Sequence, residues 1–258
     1  SFYRVFFQSQ IYSLIGFFIF LSLIIFSQKI KNFWYLLIPI VPIIISFSRS
    51  YWFAFFLTFL IFFIFLKIKE KIDWRSFGKI IFMTIFIIFF SLALIYFSLK
   101  LPPKIEIDVS SLVEKRFKIE EPAFSSRIAQ LPYLLKAILE KPFFGSGFGK
   151  TVSYFSHDPR AFERHLLGFY TTYAFEWGYL DIWLKIGLVG LFSFFLLLFK
   201  IFKEGLKLIF VQQKDLILGL IFGLIALIIT HFSSPYLNHP LGIGYLMLLM
   251  IIYEKSKS

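Results

Sequence analysis

Seven long apolar runs, nearly devoid of charged side chains, constrain this chain more than any other feature. They cover residues 5–27, 33–47, 51–66, 80–99, 182–199, 216–229 and 241–253. A bilayer-spanning helix needs about 17–25 apolar residues, so the shorter runs must recruit interfacial residues or sit in thinned bilayer. With 59% hydrophobic residues and 39 Phe among 258 positions, the apolar surface exceeds what a soluble domain can bury. The predicted fold class is therefore all-α: a polytopic membrane protein of about seven transmembrane helices, with one large extracytoplasmic loop containing short amphipathic helices. The chain opens at Ser1 within polar-aromatic sequence, with no starting Met and no small-residue cleavage site after the first run. It reads as a C-terminal fragment of a larger helical bundle.

Charge then sets the orientation. Lys29 and Lys31 follow the first run, and Lys67, Lys69, Lys71, Arg75 and Lys79 follow the third. Lys200, Lys203, Lys207 and Lys214 follow the fifth, and Lys255 and Lys257 close the chain. If every run crosses once, all these cations share one side, which the positive-inside rule makes cytoplasmic. The net charge of +12 is thus read as topology, and no nucleic-acid partner is expected. The other side receives the N-terminus, the Ser48-Arg49-Ser50 corner, the long loop and residues 231–240. Three regions are predicted: a first bundle over 1–99 with Arg49 at an outer corner, a loop domain over 100–180, and a C-terminal bundle over 181–258.

The runs hold few ionisable groups. Asp181 and Lys185 at the head of the fifth form an i,i+4 pair that neutralises itself near the interface. A pump or secondary transporter needs intramembrane carboxylates or histidines, and usually an internal repeat; neither is visible. The absence of Cys excludes disulfides, a Cys-based metal site and a thiol nucleophile. His157, His165, His231 and His239 lack metal-ligand spacing, so no metal or other cofactor is expected.

Function must therefore lie in the hydrophilic stretch and the membrane edges facing it. A short amphipathic helix is predicted over 132–140, with Pro132 in its first turn, Arg127 upstream, and Leu135, Ile138 and Leu139 on one side. A second is predicted from Asp158-Pro159, carrying Arg160 and Arg164 on one face and Phe162, Leu166 and Phe169 on another, suited to a membrane surface. Between them lies Pro142-Phe143-Phe144-Gly145-Ser146-Gly147-Phe148-Gly149-Lys150-Thr151. This is not a P-loop, because Phe144 stands where the first glycine is required, and it is not the dinucleotide G-x-G-x-x-G pattern. It reads as a glycine turn that lets backbone approach a ligand or the membrane face closely.

Four pieces stand on the outer side: Ser48-Arg49-Ser50; Ser126-Arg127 followed by Pro142-Phe143-Phe144-Gly145-Ser146-Gly147-Phe148-Gly149; Glu176-Trp177-Gly178-Tyr179-Leu180 with Gly187-Leu188-Val189-Gly190; and Ser233-Ser234-Pro235-Tyr236-Leu237-Asn238-His239-Pro240. In order and spacing they resemble the O-antigen ligase and O-antigen polymerase superfamily of bacterial membrane glycosyltransferases, from about Arg4 to the C-terminus. The resemblance implies transfer of a glycan from an undecaprenyl-diphosphate carrier to a sugar hydroxyl outside the inner membrane, without a metal or nucleotide sugar. The acceptor is a growing glycan, or for a ligase lipid A core or a protein, and membrane lipids are the other partners.

Arg49 and Arg127 resemble the family's corner and loop arginines. Fixed guanidinium forks suit a departing diphosphate. Ligases of the family carry a His-Asn pair where this chain has Glu176-Trp177, which favours a polymerase and leaves Glu176 as base or as partner of a nearby arginine. Arg160, Arg164, His165, Tyr179 and His239 are candidate substrate-binding residues, and His165 and His239 are reserve bases. A reading of another class remains, in which the chain binds or moves lipid without chemistry and Arg49 merely caps a membrane corner.

Overall fold

A computed structural model of the chain describes residues 7–27, 30–69, 73–100, 122–156, 169–212 and 215–257. Among the described residues, each of the seven apolar runs is largely helical. The helices are α1 (Ile11–Ser27), α2 (Leu37–Ile45), α3 (Arg49–Ile68), α4 (Trp74–Lys100), α5 (Pro122–Glu140), α6 (Gly178–Gln212), α7 (Asp215–His231) and α8 (Pro240–Lys257). Among the described residues, four stretches are long and apolar enough to cross a membrane: Gln8–Ser27, Arg49–Ile68, Trp74–Phe97 and Gly178–Ile209. Asn32–Ile45 and Asp215–His231 are apolar but shorter. Two strands not anticipated from sequence, β1 (Val152–Phe155) and β2 (Phe169–Thr172), pair antiparallel with Val152 opposite Thr172. The chain is a helical membrane protein.

It divides into two compact units. The first holds α1–α4, α6 from Lys200 onward, α7 through Thr230, and α8. Its core is made by aromatic edges and by glycines. Phe17 meets Phe55 at 4.7 Å between ring centroids, and Phe62 meets Phe222 at 4.7 Å with the rings perpendicular. Edge-to-face pairs of this kind add about 0.5–1.5 kcal/mol beyond area burial. α7 is the most enclosed helix, with Ile221, Leu224, Ala226 and Leu227 fully buried. Gly219 lets it touch α1: a Cβ there would lie 2.5 Å from the Ile19 Cα. Small residues at helix crossings are the usual device in a bilayer, where apolar burial between helices gains little. Hydroxyls finish the bundle, with Ser22 Oγ donating to the Asp215 carbonyl at 2.6 Å and Tyr245 Oη donating to the Leu220 carbonyl at 2.6 Å.

The tight turn expected between the second and third runs is present. α2 ends at Ile45, α3 begins at Arg49, and Phe47 between them takes φ +44°. A bulky L-residue in that region costs about 1–2 kcal/mol. Trp52 Nε1 donates to the Ile43 carbonyl at 3.2 Å and ties the two helices across the corner.

The second unit holds α5, the strand pair, α6 as far as Phe199, and residues 231–239. Two expectations are corrected here. Helix α5 starts at Pro122 rather than Pro132, so Pro132 is interior and Arg127 is helical. The reason is that Pro122 takes the first-turn position where a missing N–H is harmless. The apolar repeat at Leu134, Ala137 and Ile138, with Gln130 a turn earlier, then carries the helix through Pro132, which stands on the exposed face. The buried face is correspondingly Leu134, Ala137 and Ile138, packed with Val152, Phe175 and Leu184, while Leu135 and Leu139 are exposed. Of the helix expected from Asp158, residues 158–168 lie outside the described residues, and Phe169 belongs to β2.

Candidate functional site

The glycine turn makes a close backbone approach, and its partner is α6. Helix α6 breaks at Gly187, whose φ of +72° and ψ of −176° are non-helical. A break strands two carbonyls before it and two N–H groups after it. The loop after α5 satisfies all four: Ser146 N–H donates to the Leu184 carbonyl at 2.7 Å, and Gly147 N–H to the Lys185 carbonyl at 2.9 Å. In return Leu188 N–H donates to the Pro142 carbonyl at 2.8 Å, and Val189 N–H to the Phe143 carbonyl at 3.2 Å. Trp183 Nε1 adds a further bond to the Pro142 carbonyl at 2.9 Å. Buried backbone groups left unpaired cost about 1–3 kcal/mol each, so loop and break require one another. No side chain fits between them: a Cβ on Gly187 would lie 2.2 Å from the Phe143 oxygen, and one on Gly145 (φ +74°) would lie 2.5 Å from the Gly187 nitrogen.

With α5 and α6 joined this way, Arg127 on α5 and Glu176 just ahead of α6 meet in a salt bridge, Nε to Oε2. Both side chains are reachable from solvent, Arg127 being 30% and Glu176 51% exposed. Trp177 Nε1 donates to the Arg127 carbonyl at 3.0 Å and edges against Phe232 at 5.9 Å, pinning the pair's backbone on both sides. Next to Arg127, Ser126 Oγ lies 2.8 Å from Ser156 Oγ beyond β1. Forty-nine residues separate Arg127 from Glu176, and no sequence periodicity signals their pairing.

A second polar node lies one turn further along α6. The Lys185 ammonium sits 2.7 and 2.9 Å from the two oxygens of Asp181, as the i,i+4 spacing predicts. Asn238 Nδ2 also donates to Asp181, which sequence reading missed. Asp181 is 2% exposed, so both partners are needed to offset its desolvation. His231 is fully buried; its Nδ1 accepts the Leu237 N–H at 3.0 Å, and its ring stands edge-on to Tyr179 at 4.7 Å. A Cβ on Gly178 would lie 2.2 Å from the His231 oxygen, which explains that glycine. Its signal in sequence was only a Gly between Trp and Tyr.

The other candidates are dispersed. Tyr179 is half-buried against His231 and Phe195. His239 is half-buried, its N–H bonded to the Tyr236 carbonyl at 3.0 Å. Arg160, Arg164 and His165 lie outside the described residues. Arg49 belongs to the first unit, where it opens α3 beside the Ser48 and Ser50 hydroxyls, themselves 2.9 Å apart. At the base of the glycine loop, Lys150 Nζ bonds Glu140 at 2.8 Å, and that ammonium holds the Glu140 carboxyl below its ordinary range.

The family model described as O-antigen ligase matches residues 34–195, which contain Arg49, Arg127, the glycine loop, Glu176 and Gly187. The chain belongs to the O-antigen ligase family. No curated protein and no solved structure matches it.

Proposed function

We propose that this chain is a glycosyltransferase that moves a glycan from an undecaprenyl-diphosphate carrier to a sugar hydroxyl at the outer face of the bacterial inner membrane, as a polymerase of lipid-linked repeats. The Arg127–Glu176 pair carries the reading, because it sets a cation that suits a diphosphate beside a carboxylate that suits a hydroxyl proton. In the proposed step the acceptor oxygen attacks the anomeric carbon and the bond from that carbon to the diphosphate breaks. The carrier diphosphate departs with the electron pair, and the hydroxyl proton passes to Glu176. Arg127 serves as the phosphate contact, and a diphosphate that displaces Glu176 from it releases the carboxylate to act as base. Arg49 enters from its motif alone, as a second phosphate contact. Arg160, Arg164, His165, Tyr179 and His239 enter on the same footing, as donor or acceptor contacts.

The proposed topology is seven spans with the loop outside and the C-terminus inside. The family's description favours the ligase reading as much as the polymerase one, and lipid A core is then the acceptor. One incubation separates the two. The full-length protein is supplied with a lipid-diphosphate repeat unit, with and without lipid A core. A product ladder without core identifies a polymerase. A single capped product that requires core identifies a ligase. A donor bound but never consumed supports the non-catalytic lipid-binding reading instead.

A further inference from the structure

The glycine loop presents more than backbone. Leu139, Phe143, Phe144 and Phe148 are 72, 61, 82 and 72% exposed. Their outward aim is imposed by the chain. The carbonyls of Pro142 and Phe143 and the N–H groups of Ser146 and Gly147 are committed to α6, and Gly145 has no room to turn over. The rings therefore cannot fold inward without breaking the bonds that plug the helix break.

The depth of this cluster follows from α6. Residues 186–199 form its charge-free stretch, bounded by Lys185 and Lys200. Gly187 stands at the border of that stretch, and the loop is bonded to residues 184–189 on either side of it. Just past the break, Leu188, Val189 and Phe192 are 44, 53 and 62% exposed on a helix long enough to cross the bilayer. The loop's rings thus continue a surface that faces lipid, at the level where the apolar stretch meets the headgroups. Charge agrees with this placement. Lys136 and Lys141 are exposed, Lys150 stands beside them, and Glu140 is the acidic group among these three cations. Apolar rings collared by lysines suit the headgroup level, where long cationic side chains keep their ammonium in the polar layer while their stems lie along apolar surface.

We propose that residues 139–149 form an interfacial anchor, with Leu139, Phe143, Phe144 and Phe148 inserted among bilayer lipids and the lysines on their headgroups. The occupant of this face is membrane lipid. The anchor holds the C-terminal end of α5 at the bilayer surface.

The chain has no cysteine, so single labels report one site each. Full-length Phe144→Cys and Phe148→Cys variants, carrying a nitroxide label, are reconstituted in vesicles of phosphatidylcholine and phosphatidylglycerol. Collision rates with oxygen and with a water-soluble nickel chelate are then measured. Phe192→Cys provides the lipid reference, and Ser76→Cys, exposed in the first turn of α4 beside Arg75, provides the aqueous one. The anchor predicts an oxygen-to-nickel ratio at 144 and 148 several-fold above that at 76 and approaching that at 192. A ratio equal to that at 76 places the rings in water and overturns the proposal. Low collision with both reagents also overturns it: with dipolar broadening between labels a second copy covers the face, and without it the chain itself does.

Discussion

The bundle unit and the loop-bearing unit of this protein are held together by different kinds of contact. In the bundle, stability is spread over many rings and aliphatic side chains, such as the Phe17, Phe55, Phe62 and Phe222 contacts. In the other unit it is concentrated in backbone bonds, four of which join the glycine loop to the break in α6. Side-chain packing tolerates a change of shape when volume is kept. A backbone joint in which a Cβ would lie 2.2–2.5 Å from its neighbours tolerates no added atom. The lesson is that the unit with the lesser apolar content is also the less forgiving, and it is the one that holds Arg127 and Glu176.

The sharpest way to break this contrast is to add one methyl group. Gly187→Ala places a Cβ 2.2 Å from the Phe143 oxygen at φ +72°. It should lower stability in detergent by about 4 kcal/mol, from left-handed strain together with loss of the loop bonds. Gly147→Ala sharpens the point: its φ is +84°, but its Cβ meets open space, so thermal unfolding should show only about 1–2 kcal/mol of loss. Equal effects at 187 and 147 would mean that strain alone, and not the joint, holds the loop.

Chemistry should be lost at the exposed pair with little change in fold. Arg127→Ala should reduce turnover of a lipid-diphosphate donor by about 10²–10³-fold, while leaving the melting temperature nearly unchanged. Unaltered turnover would remove Arg127 from the reaction. Next in size is Asn238→Ala, which withdraws one of the donors to buried Asp181 and should cost about 1–2 kcal/mol by the same unfolding measurement. In the bundle, Phe62→Leu keeps most of the buried volume and should cost about 1 kcal/mol, far less than the single methyl at Gly187. If it costs more, the bundle is not the tolerant partner in the comparison.

The smallest effect concerns pH. Lys150 holds the folded-state Glu140 carboxyl below its ordinary range, so the pair contributes stability above the unfolded value and loses it as pH falls through the folded one. Glu140→Gln should therefore lower stability slightly at neutral pH, leave it unchanged below the folded value, and so flatten the acid limb of the curve. A mutant curve parallel to the parent's throughout would show that the pair contributes nothing.

The apolar runs and the short motifs determined by themselves that the chain is a helical membrane protein of this family. Hydrophobic length and charge are local properties, readable without knowing what touches what. The i,i+4 bond of Asp181 and Lys185 was legible for the same reason, since helix geometry alone brings the two together. The turns of α5 before Pro132 were not legible, because what holds them is tertiary: Trp177 bonds the Arg127 carbonyl, and the Ser126 hydroxyl meets that of Ser156. Arg127 meeting Glu176, Asn238 meeting Asp181, and Gly145 meeting Gly187 depended on the tertiary structure. These contacts join residues 42 to 57 positions apart through backbone turns and buried polar groups, for which a linear pattern holds no period.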